Sequence, residues 1–174
     1  MADFPKALFF ILGNEGGFTV DHAGPTKFGI TLPSLIHAGT NYDLDKDGEI
    51  TKNDVASLTI RTAAQFYFDQ FWKQSPFEEI PNQKLAEKIL DIQVNTGAAQ
   101  GTKLLQKAIV SLHRPVKIDG IFGPKTLKAL LSLMADILRD MLKCVIIDFY
   151  NELNAKDPKK YGKYLDGWLA RADR

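Results

Sequence analysis

Residues 82–112 read NQKLAEKILDIQVNTGAAQGTKLLQKAIVSL. Apolar residues recur every three or four positions on both sides of Gly97, which predicts two consecutive helices meeting at that glycine. The same spacing continues outward. Upstream, TIRTAAQFYFDQFW (59–72) repeats it and LPSLIHA (32–38) predicts a short helix. A first helix would be capped by Asp3, hold Pro5 in its first turn, and bury Leu8, Phe9, Ile11 and Leu12 before Gly16 and Gly17 stop it. A loop then runs to Thr31. Downstream, VKIDGIFGPKTLKALLSL (116–133) is a turn-rich segment leading into a helix that Pro124 starts. LMADILRDMLKCVIIDFYNEL (133–153) places Leu133, Ile137, Met141, Val145 and Phe149 on one core-facing stripe, and Pro158 opens a last helix. Long alternating runs are absent, so the fold class is mainly α, with little or no β-sheet.

With 174 residues, 45% apolar and 25% charged, the chain has the composition of an ordinary soluble globular protein with one full core. Its single cysteine, Cys144, lies in LKCVIIDFY, reads as a small buried hydrophobe, and has no partner for an internal disulfide. Folding therefore needs no oxidation and is compatible with a reducing cytoplasm. The start MADFPKALFFILGNEGG lacks the basic segment and cleavage site of a signal peptide, and no stretch approaches the length of a membrane span. The net charge of +1 conceals an asymmetry: residues 1–100 carry 8 Lys+Arg against 13 Asp+Glu, and residues 101–174 carry 14 against 8. A basic half suits an anionic partner, whether nucleic acid, membrane or polymer, although scattered lysines also serve solubility alone.

The most specific local pattern is DLDKDGEITKND, residues 43–54, which fits the twelve-residue loop of an EF-hand. Asp43, Asp45 and Asp47 supply carboxylates at positions 1, 3 and 5, Gly48 makes the sharp turn, Glu49 offers its carbonyl at position 7, and Thr51 would hold a water. Asp54 stands where a bidentate glutamate is usual, and its shorter reach favours weaker calcium binding. With one loop and no pair, a structural clamp holding one calcium ion is expected rather than a switch.

A second pattern is EGGFTVDHAGPTKFGIT, residues 15–31. Glu15 ends an apolar helical run, where the negative end of the helix dipole and a neighbouring phenylalanine both raise a carboxyl pKa. An acid held protonated near neutral pH is what protonation of a glycosidic oxygen requires, and two glycines leave it uncovered for a bulky polysaccharide. Asp21, Thr26 and Thr31 are candidates for the second role, stabilising the transition state or positioning a water. On the residues alone a plain helix end with a glycine cap is an equal reading.

This stretch resembles the signature of glycoside hydrolase family 108, the muramidases found in phage endolysins: Glu-Gly-Gly-aromatic, an Asp-containing loop, then Gly-x-Thr-x-x-Gly-Ile-Thr. The similarity continues in order through ITKNDVASLT, FYFDQFW and DIQVNTGAAQGTKLLQKA. IDGIFGPKTLKAL and YLDGWLARAD resemble the associated peptidoglycan-binding region. The resemblance implies a lysozyme-like helical fold, with residues 1–100 catalytic and carrying the calcium loop. It implies that residues 101–174 form a peptidoglycan-binding region packed with them into one compact unit. It makes Glu15 the catalytic acid, with Asp21 or Thr26 completing the site. Tyr67, Trp72, Asn95 and Gln106 would line the sugar groove through ring stacking and amide bonds, while Phe66, Phe68 and Phe71 read as core. Asp119 and Gly120 read as a turn.

The function expected is hydrolysis of the β-1,4 bond between N-acetylmuramic acid and N-acetylglucosamine by an endolysin made without a signal peptide. Release through a holin-permeabilised membrane follows from the resemblance. The expected partner is the peptidoglycan glycan strand, met by a monomer that neither binds nucleic acid nor inserts stably into membranes. Calcium is the expected structural cofactor, and none is expected for catalysis. The rival readings are a lytic transglycosylase and a non-catalytic, calcium-dependent wall-binding protein.

Overall fold

The computed structural model describes residues 1–14, 19–21 and 24–174. The chain is mainly α, and its contacts divide it into two compact units: Asp3–Gln74, and Ser75–Arg174 together with Met1–Ala2.

In the first unit, α1 (Phe4–Asn14) starts where the Asp3 carboxylate accepts the Lys6 N–H at 3.0 Å, as the capping pattern predicts. Its buried residues are Ala7 and Ile11, whereas Phe9, expected in the core, is 82% exposed. The segment expected as loop up to Thr31 holds a three-stranded antiparallel sheet: β1 (Thr19–Asp21), β2 (Gly24–Lys27) and β3 (Ile30–Thr31). Strands of two to four residues are too short to leave an alternating signature. Phe28 and Gly29, with φ of 54° and 76°, turn β2 into β3, and the buried Tyr67 hydroxyl donates to the Phe28 carbonyl at 2.7 Å.

Thr31 then caps α2 (Leu32–Ala38), its hydroxyl accepting the Ser34 N–H, and Gly39 ends the helix at φ +93°. After the acidic loop come α3 (Lys52–Ser57) and α4 (Ile60–Tyr67), each opened by a threonine cap. The helix widens into a π-type turn over Phe68–Trp72, closed by the Lys73 N–H on the Phe68 carbonyl at 2.9 Å. Tyr42, Phe66, Tyr67 and Phe71 pack edge-on and tilted, with centroids 5.4–6.5 Å apart.

The second unit contains α5 (Gln83–Thr96), α6 (Ala98–Ser111), α7 (Pro124–Leu131), α8 (Ala135–Lys156) and α9 (Pro158–Asp173). Gly97 separates α5 from α6 at φ +88°, a left-handed conformation that a side chain rarely adopts. α6 packs against α5, α7 and α8, and α9 lies on α8. α5 packs on α6 and α8 and so belongs to the compact unit that begins at Ser75.

The buried stripe of α8 is Leu138, Leu142, Ile146 and Tyr150, one position on from the stripe expected; Ile137 is 48% exposed. Both stripes are apolar at every fourth residue, so periodicity cannot choose between them. Cys144 sits two residues past Leu142, on the far side of the helix, and is exposed rather than buried.

α9 is pinned to α5 at its end. Arg171 donates from Nε to the buried Asp91 carboxylate at 3.0 Å, and its Nη2 lies 2.8 Å from the same oxygen. The buried Lys88 ammonium caps the last turn by donating to the carbonyls of Arg171 and Ala172. Burial pushes the Lys88 pKa down against the opposing charge of Asp91.

Two substitutions test these joints. A methyl on Gly101 would lie 2.6 Å from the Gln93 Cα. Replacing a helical glycine by alanine gains about 1 kcal/mol in propensity, but parting two packed helices costs about 1–3 kcal/mol. Gly101→Ala is therefore expected to lower the urea midpoint of unfolding. Arg171→Ala, which takes the guanidinium away from the buried Asp91 carboxylate, is expected to destabilise by about 3 kcal/mol in the same assay. In the Asp91→Ala/Arg171→Ala double variant the loss should be smaller than the sum of the single losses.

Candidate functional site

The acidic loop has the geometry its sequence predicts over its first half. Lys46 and Gly48 take φ of 62° and 94°. The Asp43 carboxylate accepts the Gly48 N–H at 2.9 Å, Asp45 accepts that of Asp47 at 3.3 Å, and Asp47 accepts that of Glu49 at 2.9 Å. These turns gather the three carboxylates so that one oxygen from each lies within 4.8 Å of the others. Asp43 Oδ1 is buried and has no hydrogen-bond partner among the described residues. Desolvation, reinforced by the charges of Asp47, Asp54 and Asp43, pushes the Asp45 carboxyl above its usual 3.8, although the Asp47 N–H opposes the shift. Three carboxylates gathered in this way, with a buried Asp43 oxygen that has no partner among the described residues, offer hard donors that fit a divalent cation of the calcium or magnesium type.

Asp54 behaves differently. It is fully buried, and its Oδ1 accepts the N–H of Leu44 at 2.6 Å and of Asp45 at 3.4 Å. Its Oδ2 accepts the Thr51 N–H at 2.7 Å. Desolvation would raise its pKa, but these backbone donors outweigh it and hold the carboxyl below the usual value. Asp54 thus ties the two ends of the loop together from inside. Glu49 is exposed, with its N–H on Asp47.

Of the residues expected to do chemistry, Glu15 lies outside the described residues. Asp21 ends β1 at the register position opposite Gly24. Thr26 is half-buried on the central strand β2, opposite Thr19 on one side and Thr31 on the other. Thr31 itself is engaged in capping α2, where its hydroxyl also lies 2.8 Å from that of Ser34.

Of the four residues expected to line a sugar groove, Tyr67, Trp72 and Gln106 are buried and Asn95 is half-buried. Tyr67 and Trp72 are buried in the aromatic core, Trp72 with its ring 5.4 Å from Phe4. Asn95 is half-buried and donates its amide to the Tyr150 hydroxyl. Gln106 is buried and fully engaged: its Nε2 donates to Asp119 Oδ1, the Ile121 carbonyl and Thr126 Oγ1 at 2.9–3.2 Å, and its Oε1 accepts the Gly120 N–H at 2.9 Å. An aromatic at helical spacing and an amide inside a helix read the same whether they meet core or ligand, which is why sequence alone could not place them.

Two further motifs gain a physical meaning. In IDGIFGPKT, Asp119 accepts the Ile121 N–H at 3.0 Å, and Gln106 locks this turn to α6. The Ile121 N–H and then the Gln106 amide hold the Asp119 carboxyl below its usual 3.8. In YLDGWLARAD, Trp168 stacks on Tyr150 at 5.0 Å, and Arg171 is the residue that pairs with Asp91.

The architecture is that of a mainly α, lysozyme-like glycoside hydrolase that acts on peptidoglycan. The chain belongs to the glycosyl hydrolase 108 family, whose profile matches residues 8–97, and that of a predicted peptidoglycan domain matches residues 100–173. A solved structure of Brucella abortus SagA is similar over 98% of this chain and 90% of that one, with a TM-score of 0.79 and 26% sequence identity. No curated protein is significantly similar to the chain.

The Gln106 network predicts its own failure. Gln106→Ala takes the acceptor from the Gly120 N–H and leaves the Thr126 hydroxyl only the Ile121 carbonyl, and is expected to destabilise by about 1–3 kcal/mol in urea. Because the folded Asp119 pKa is depressed, its stabilisation is whole above pH 3.8 and fades as pH falls through the lower folded value. In Asp119→Asn that acid-dependent increment should be missing from a melting-temperature series between pH 5 and 2.

Proposed function

We propose that this chain is a phage endolysin, an N-acetylmuramidase that hydrolyses the β-1,4 bond between N-acetylmuramic acid and N-acetylglucosamine with Glu15 as general acid. The observation that carries the reading is the family match over residues 8–97, which contains the whole Glu-Gly-Gly to Gly-Ile-Thr signature. The described backbone on either side supports it. The described part of α1 runs to Asn14, the residue before Glu15 in sequence. β1 and β2 then bring positions 21 and 26 onto paired strands, with Thr26 centred in the sheet. In this reading Asp21 or Thr26 orients the water or stabilises the oxocarbenium-like transition state.

The acidic loop is a calcium clamp in the same proposal. Asp43, Asp45 and Asp47 would hold the ion, and the buried Asp43 oxygen supports this because a cation would supply the partner it lacks. Bound there, calcium would neutralise three crowded carboxylates and secure the segment joining α2 to α3. The protein would be made in a host cytoplasm and reach the wall through a holin-permeabilised membrane. No helix among the described residues is long and apolar enough to cross a membrane.

Glu15→Gln is expected to abolish glycan cleavage, by a factor of about 1,000 or more in rate, while melting temperature and wall binding stay at wild-type values. Mass spectrometry of digested peptidoglycan should show reducing muramic acid ends; 1,6-anhydro ends would replace hydrolysis by lytic transglycosylation. For the clamp, a chelator should lower the melting temperature and calcium restore it. A chelator response unchanged in Asp45→Ala/Asp47→Ala would move the ion elsewhere.

A further inference from the structure

Behind the Gln106-locked turn, the second unit carries an open groove of about 830 Å³ between the end of α6, the 112–123 loop and α7. Four cations line it, Arg114, Lys117, Lys125 and Lys128, all of them exposed. Its floor is apolar, built from Val110, Pro115, Val116 and Ala129. A smaller cavity of about 310 Å³ shares Val116, Lys117 and Lys125 and extends the groove to Ile121 and Asp119.

Four like charges around one groove repel one another, so an opposing charge is expected to fill it. None of the four pairs with an acid in the ion pairs of the described residues, which join Arg139, Lys143 and Arg171 to other partners. The carboxylate at the rim, Asp119, lowers the field of Lys117 but is itself held by the Ile121 N–H and the Gln106 amide. Lysines spread for solubility would account for the charge but not for the apolar surface left open beside it. Val110 is 40% exposed, Ile118 43% and Ile121 67%.

The occupant must therefore combine carboxylates or phosphates with small apolar groups. A glycan strand supplies acetyl methyls but, with its lactyl groups joined to peptide, few carboxylates, and a phosphodiester polymer would meet the cations while leaving the floor bare. The stem peptide of peptidoglycan supplies both, because it carries alanine methyls together with the free carboxylates of its acidic residues. We propose that this groove, formed by α6, the 112–123 loop and α7, binds the anionic stem peptide of peptidoglycan and so holds the wall by its peptide rather than by its sugar. The proposal rests on peptidoglycan being the partner and is independent of the muramidase chemistry assigned to Glu15.

The full-length chain can be titrated calorimetrically with a soluble disaccharide-tetrapeptide, with the same disaccharide lacking its peptide, and with a polyphosphate. The peptide-bearing ligand should bind at least tenfold more tightly than the bare disaccharide, and added salt should weaken it. Arg114→Ala/Lys125→Ala/Lys128→Ala should lose tenfold or more of that affinity. The variant should keep its melting temperature and its rate on glycan chains stripped of peptide by an amidase. Wild-type affinity in the triple variant, or equal affinity for the bare disaccharide, would overturn the proposal. Tighter binding of polyphosphate than of the tetrapeptide would overturn it in favour of a phosphate polymer. Failure of the muramidase reading would instead appear as no cleavage of the stripped glycan chains, with peptide binding intact.

Discussion

The contact between Gly101 and the Gln93 backbone sets the second unit. A single added methyl would come within 2.6 Å of the Gln93 Cα, so α5 and α6 lie as close as helices without intervening side chains allow. With that spacing the Gln93 amide reaches the Thr102 hydroxyl at 2.9 Å in a buried position. α6 then offers its remaining faces to α7 and α8, and α8 carries α9. Arg171 and Lys88 close the circuit by returning the end of α9 to α5. Helix order here is a chain of dependences that begins at one glycine.

The two motif-rich loops share a second constraint, the need of buried backbone N–H groups for acceptors. Asp54 meets it for residues 44, 45 and 51, and Gln106 and Asp119 meet it for residues 120 and 121. In the sequence Asp54 and Gln106 read as groups meant for a ligand, and Asp119 as part of a turn. In the structure their polar atoms are used within the fold. The acidic loop differs from the Asp119 turn in what it leaves over: a buried Asp43 oxygen without a partner among the described residues.

The helices were legible because their apolar residues repeat over two or more turns, and some of their ends because Asp3, Gly97, Pro124 and Pro158 have local reasons to start or stop them. The sheet was not legible, since strands of two to four residues carry no period. On α8 two parallel apolar stripes competed, and packing chose Leu138, Leu142, Ile146 and Tyr150, which turned Cys144 outward. At the site the division is similar. The Asp43, Asp45 and Asp47 cluster was legible because its spacing is a local geometric rule. The roles of Tyr67, Trp72, Asn95 and Gln106 were not, because burial is decided by elements distant in sequence. The cationic groove was visible only as an excess of lysine and arginine after residue 100, without a place.

The family profiles change over between residues 97 and 100, while the compact units divide at residues 74 and 75. The difference is α5, which belongs to the hydrolase segment by sequence and to the second unit by packing. Leu85, Ile89, Leu90 and Ile92 are all buried on it, and in that unit it packs on α6 and α8 and holds the end of α9. A chain ending at residue 97 would keep the whole hydrolase signature but leave those four side chains without α6 and α8 to cover them, at roughly 1.5–3 kcal/mol for each side chain returned to water. The segment that names the activity thus ends inside a compact unit that it shares with the peptidoglycan region. The peptidoglycan region therefore has a structural role besides any it plays at the wall: it completes the core around a helix that the hydrolase segment contributes.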